Sequence, residues 1–321
     1  MQVNHSVKKS GCLYQGQCFL AFNSVLGGRE IRFDFSLCNL SCILCWANND
    51  AKNSLITSQE LLDRFLHCIC QKDAYIQKRY PDGIENTNSF KTSALQIVGG
   101  ETLLNKSRFL FVYEFLHSLN EKIQQHSVYL KINKLKRFKV KIFTNGVSIG
   151  LNEVTLQDIY SLDCLGNLDI RILLSIKGLN EKNTEALQAK THPFSVLDLQ
   201  ARALEILLEN RFRSIKIEPV LGFYHSCDFN IKAPGIAANE MFTFSECDAA
   251  SKKLQKLLAS FKSEGGAIFV EPVHSVPQTP KGKNAFYEEY QDFLEMDTLI
   301  ERDLKGGSRR NLAHTKLYQL I

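Results

Sequence analysis

No apolar run in this chain approaches the roughly 18 residues needed to cross a bilayer, so a membrane-spanning protein is not expected. The opening stretch MQVNHSVKKSG lacks the apolar segment of a secretion signal, and a cytoplasmic protein is the expectation. No proline- or glycine-rich linker divides the 321 residues, which are long enough to bury one large core. One core domain is therefore expected over residues 31–275, with short extensions at 1–30 and 276–321.

A disulfide framework is also missing. The ten cysteines show no such spacing as a set, and in a reducing compartment their roles are metal ligand, reactive thiol or small buried hydrophobe. Cys68, Cys70, Cys164, Cys227 and Cys247 are read as buried hydrophobes. Cys12 and Cys18 precede the main cluster and either cover it or hold something of their own. No cysteine follows Cys247. Acidic residues, finally, are absent from KINKLKRFKVK, residues 131–141, where Lys131, Lys134, Lys136, Arg137, Lys139 and Lys141 stand unbalanced in a chain of net charge +5. Such a segment reads either as a receiver of the phosphate backbone of RNA or as a solvated connector before a buried strand.

What is present is an alternation of short β-rich apolar runs with segments of helical apolar spacing. That order predicts βα units and a parallel sheet. Strands are expected at Ile31–Phe35, Leu95–Val98, Val140–Phe143, Leu168–Ile176, Ile215–Leu221 and Ala267–Val270. Helices are expected from a capping box at Thr57 and Glu60, in a segment carrying Leu110, Phe115, Leu116 and Leu119, from about Asn152, after a cap at Ser195 and Asp198, and over Ser245–Lys262. The fold class is therefore α/β: six βα repeats whose strands are too apolar for a solvated face, curved into a partial (β/α)6 barrel. In such sheets the loops at the carboxyl ends of strands line the ligand site, and the unusual residues of this chain fall there.

The first of these loops is FSLCNLSCILCWAN, Phe35–Asn48, with Cys38, Cys42 and Cys45 spaced C-x3-C-x2-C. Three thiolates on one short loop cannot close the tetrahedral shell of structural zinc without a distant fourth ligand such as a histidine. They suit a cubane iron–sulfur cluster, with one thiolate on each of three irons and the fourth iron open to a small molecule. Leu37, Leu40, Ile43, Leu44 and Trp46 supply apolar cover.

C-x3-C-x2-C after the first strand, Gly99-Gly100-Glu101 at the end of the second and Thr144-Asn145-Gly146 at the third resemble the radical S-adenosylmethionine (SAM) superfamily, over the whole inferred core. The resemblance implies a [4Fe–4S] cluster on Cys38, Cys42 and Cys45, whose open iron is chelated by the methionine portion of SAM. One electron then gives a 5′-deoxyadenosyl radical that abstracts a substrate hydrogen. It also implies an external electron donor such as a flavodoxin or ferredoxin. Gly99 and Gly100 let backbone approach the cofactor, Glu101 accepts from its ammonium, Ser175 and Lys177 match positions contacting its ribose and carboxylate, and Asn145 and Glu218 are placed to hold ribose or substrate hydroxyls. As turn formers and polar groups of a barrel mouth, Asn145 and Glu218 have an equally ordinary explanation. Leu44 stands where the family has an aromatic residue before the third cysteine, and Thr102 where proline often follows GGE; both departures bear on the adenine contact and subfamily.

Glu218, His225 and His274 are the catalytic candidates, as groups near strand ends able to orient a polar substrate or move protons. The substrate classes open to such an enzyme are a base in RNA or a small metabolite, with peptide maturation or glycyl-radical activation of a partner enzyme as alternatives. A zinc-binding nucleic-acid module is the non-enzymatic alternative, and it leaves GGE, TNG and the Ser175-Ile176-Lys177-Gly178 stretch at the end of the fourth strand unexplained.

Overall fold

A computed structural model describes residues 14–20, 30–35, 37–42, 56–67, 94–123, 137–188, 190–223, 244–272 and 310–311. Its strands are β1 (Tyr14–Leu20), β2 (Glu30–Phe35), β3 (Ala94–Gly99), β4 (Phe138–Thr144), β5 (Leu168–Ile176), β6 (Ile215–Phe223), β7 (Phe269–Pro272) and β8 (Arg310–Asn311). They form one eight-stranded sheet in sequence order. Every pair from β2/β3 to β6/β7 is parallel, so the α/β reading holds. The described parts of the two extensions join the sheet: β1 and β8 add antiparallel edges to β2 and β7. Among the described residues no helix is long and apolar enough to cross a membrane.

The helices are α1 (58–67), α2 (Lys106–Lys122), α3 (Val147–Gly150), α4 (Leu156–Asp163), α5 (Glu181–Ala186), α6 (Val196–Leu208) and α7 (Ala249–Ser263). The Thr57–Glu60 capping box opens α1, with Thr57 N donating to Glu60 Oε2 at 2.7 Å and Glu60 N to Thr57 Oγ1 at 3.1 Å. Ser195 caps α6, accepting from Asp198 N at 2.9 Å. The helix expected from Asn152 begins instead at Leu156. Val147–Gly150 forms a separate short turn, Asn152 breaks the chain at φ 62°, and Thr155 with Asp158 builds a second capping box. The helix expected from Ser245 starts at Ala249, because Asp248 accepts from Ser251 N and is the true cap. Past α7, Gly265 turns at φ 81° and Gly266 N returns to Phe261 O at 2.8 Å, which delays β7 to Phe269.

Alternation along the strands divides the sheet into two faces. On β4 and β5, Phe138, Val140, Ile142, Leu168, Ile170 and Ile172 are buried in the main core with Phe33 and Ile97. Phe33 meets the rings of Phe65 and Phe115 edge-on, with centroids at 5.9 and 5.5 Å. The stripe that α2 buries is Phe109, Phe111, Val112, Phe115, Leu116 and Leu119, and it includes Arg108. Leu110, expected in that stripe, is 45% exposed, because it sits between the rows that repeat every three or four residues.

The opposite face of β4 and β5 carries half-buried polar groups, Lys139, Lys141, Asp169, Arg171 and Ser175, interrupted by Phe143 and the buried Leu173. The end of the basic segment is therefore strand, not connector, and residues 131–136 lie outside the described chain. Cys164 and Cys247 are exposed rather than buried, since each falls in a turn at a helix end. Cys18 is in β1, paired with Phe33, while Cys12, Cys68, Cys70 and Cys227 lie outside the described residues.

Candidate functional site

The carboxyl ends of β2, β3, β4 and β5 are joined by a continuous set of hydrogen bonds. Past β2 the chain turns through Leu37, a non-glycine residue at φ 66°, immediately before Cys38. For a bulky side chain that conformation costs roughly 1–2 kcal/mol, and it is held from outside. Gly100 N donates to Phe35 O at 2.5 Å and Glu101 N to Leu37 O at 2.8 Å, so the GGE loop grips the start of the cysteine loop.

Glu101 then fastens GGE to TNG. Its Oε1 accepts from Thr144 Oγ1 at 2.6 Å and Leu103 N at 2.9 Å, and its Oε2 from Asn145 N at 2.7 Å. Burial of the carboxyl pushes its pKa up, opposed by those hydrogen bonds and by the Arg108 guanidinium. Arg108, fully buried, donates to Glu101 O at 3.2 Å and lies 4.8 Å over the Phe35 ring. Gly146 completes the turn at φ 80°, where a Cβ would meet Leu174 Cδ1 at 2.5 Å. All three TNG residues thus have local work in the fold.

Asn145 carries the network to sulfur. Its Nδ2 donates to Asn39 Oδ1 at 2.8 Å and lies 3.6 Å from Cys38 Sγ, while its Oδ1 accepts from Val147 N at 2.9 Å. Gln200 of α6 clamps the ends of β4 and β5, its Nε2 donating to Asn145 O at 3.0 Å and Ser175 O at 2.9 Å. Cys42 is met from another side by Gln188, with Nε2 at 3.6 Å from its Sγ. Neither thiol is in a disulfide, both are half-buried, and both pack against an apolar cluster of Leu40, Val147, Val196 and Leu199.

Cys38, Cys42, Gly99, Gly100, Glu101 and Asn145 are therefore drawn into one corner of the sheet. Ser175 and Lys177, both half-buried, lie at and just past the end of β5. Cys45, Leu44, His225 and His274 lie outside the described residues. Glu218 is not at a strand end: β6 continues through Pro219 to Phe223, leaving Glu218 paired across from Leu173 in mid-strand. Its carboxylate accepts from Arg171 Nη1 at 2.6 Å, and Arg171 and Lys216 also approach Asp169 at 3.5 and 3.8 Å. That ladder lies on β5 and β6, with Arg171 and Asp169 three and five residues before Leu174, the partner of Thr144 at the end of β4.

Arg108, Asn39, Gln188 and Gln200 escape a motif reading. Arg108 had a signal, since it continues the buried positions Phe111, Phe115 and Leu119 at helical spacing. The other three carry only amides, a residue type common on surfaces. Among the described residues no group of three histidine, cysteine or acidic side chains gathers as a metal site. The donors that are described suit thiolate-bound iron: soft ligands, apolar cover, and an N–H donor aimed at each sulfur. Comparison with protein-family models and with curated proteins finds no match to this chain.

Proposed function

We propose that the chain is a radical SAM enzyme built on a partial (β/α)6 barrel, with Cys38, Cys42 and Cys45 holding a [4Fe–4S] cluster and the loops after β3, β4 and β5 receiving SAM. The observation that carries this reading is the interlocking of three loops far apart in sequence: Cys38, Glu101 and Asn145 are joined through Leu37 O and the Asn145 amide at hydrogen-bond distance. A zinc module gives no reason for GGE and TNG to be tied to the cysteine loop. When bound, the cluster supplies one electron for reductive cleavage of SAM, yielding the 5′-deoxyadenosyl radical for hydrogen abstraction.

The residues of the chain bind and orient. Gly99 and Gly100 place backbone without side chains against the cysteine loop, and Ser175 and Lys177 offer a hydroxyl and a cation to ribose and carboxylate. Glu101 acts chiefly by shaping this cradle, because its two oxygens already accept from Thr144, Leu103 and Asn145. The apolar packing of Leu40, Val147, Val196 and Leu199 covers one side of the two cysteines. The substrate is an RNA base or a small metabolite, and a flavodoxin- or ferredoxin-type protein delivers the electron. Salt-sensitive retention of RNA separates the two substrate classes.

The test is metal analysis after anaerobic purification. The reading predicts a brown protein with iron and inorganic sulfide, and loss of both in Cys42→Ala, because two thiolates cannot hold a cubane whose fourth iron is already open. A colourless protein with stoichiometric zinc contradicts it.

A further inference from the structure

We infer that Gln188 is a positioning residue for the cluster ligands, its side-chain amide holding the sulfur of Cys42 and raising the reduction potential of the cluster bound there. The inference rests on the cluster reading above. Gln188 follows α5 and is fixed by its own N–H to Glu185 O at 2.9 Å and by an antiparallel bridge to Cys42. Its Oε1 accepts from Ser41 N at 3.1 Å, and Lys190 N donates to Ser41 Oγ at 3.1 Å, so two contacts lace this segment to the cysteine loop.

The bond to Ser41 settles which way the amide points. Turning it over would set the Nε2 hydrogens against the Ser41 N–H, donor against donor. With Oε1 thus engaged, Nε2 is directed at Cys42 Sγ, 3.6 Å away; the protonated thiol also reaches Oε1 at 3.9 Å, a contact that ligation removes with the proton while the Nε2 donor stays. Asn145 does the same for Cys38 at 3.6 Å. Each of these sulfurs therefore meets a side-chain amide from a separate part of the chain, and Cys38 Sγ accepts in addition from Leu40 N at 3.4 Å. Reduction adds negative charge that is shared by the ligand sulfurs. An N–H donor stabilises the reduced form more than the oxidised one, which moves the potential up.

A purely structural role and an electronic one separate by substitution. Gln188→Glu keeps an oxygen for Ser41 N–H and removes the donor; Gln188→Leu removes both without adding charge. In reconstituted protein, EPR-monitored redox titration should show the cluster equilibrium shifted about tenfold toward the oxidised form in both variants, ~59 mV for a one-electron couple, at unchanged iron content. In cluster-free protein at one neutral pH, Cys42 should react with iodoacetamide more slowly in both variants than in wild type, by peptide mass spectrometry. A wild-type potential together with wild-type Cys42 reactivity in the two variants overturns the inference. If the wild-type protein takes up no cluster, the cluster reading fails on its own, and the iodoacetamide comparison still decides whether Gln188 acts on the Cys42 sulfur.

Discussion

Glu101 and Asp158 are both buried carboxylates, with opposite consequences. Glu101 is 2% exposed, with Arg108 as its buried cation. Glu101→Ala strands three donors and removes the carboxylate beside Arg108, and should cost about 3–5 kcal/mol in urea unfolding; unchanged stability would mean that the lock between GGE and TNG is not formed. Its folded pKa is raised above the ordinary 4.5, mainly by burial. The associated stability is complete below that ordinary value and is lost as pH climbs through the raised one, so Glu101→Gln should flatten stability over that interval. At Asp158 burial works against ionisation, but the Lys106 ammonium and the Thr155 cap outweigh it and hold the pKa below 3.8. Here the stability is present above the ordinary value and is lost as pH falls through the lowered one. Thermal unfolding of Asp158→Asn should lack that acid-side loss, and Thr155→Ala should cost about 1 kcal/mol at neutral pH.

The elements were legible in the chain wherever one kind of signal was uncontested. Leu168–Ile176 is apolar at nearly every position and became β5 with those bounds, and Thr57 with Glu60 did cap α1. Boundaries moved where a local contact outweighed the wider pattern: Asp248 rather than Ser245 caps α7, and Thr155 rather than Asn152 begins α4. β1 and β8 carry no helical partner to mark them as parts of a βα series, so only pairing reveals them. Close approach between elements is likewise invisible in sequence. A Cβ on Gly150 of α3 would lie 2.3 Å from the Leu199 carbonyl oxygen of α6, whereas one on Gly166 would meet nothing within 4 Å. Gly150→Ala should therefore lower stability by about 1–3 kcal/mol, with Gly166→Ala near neutral; calorimetry that ranks the two alike would refute this packing.

At the scale of the molecule, a parallel sheet gathers its strand ends on one side, and that is why motifs some sixty and one hundred residues downstream of Cys38 come to lie beside it. The cysteine spacing and the two glycine-containing turns were readable because they are rare residue combinations at strand ends. The amides of Asn39, Gln188 and Gln200 were not, because their role exists only once distant segments have met. Glu218 misled because the strand was expected to stop at Leu221, close behind it, whereas β6 runs on to Phe223 between β5 and β7 and leaves Glu218 in mid-strand. The most direct measurement of the whole account is product analysis of anaerobically reconstituted, reduced protein incubated with SAM. The account predicts 5′-deoxyadenosine, abolished by Cys42→Ala; reconstituted protein that contains the cluster and releases none would contradict it.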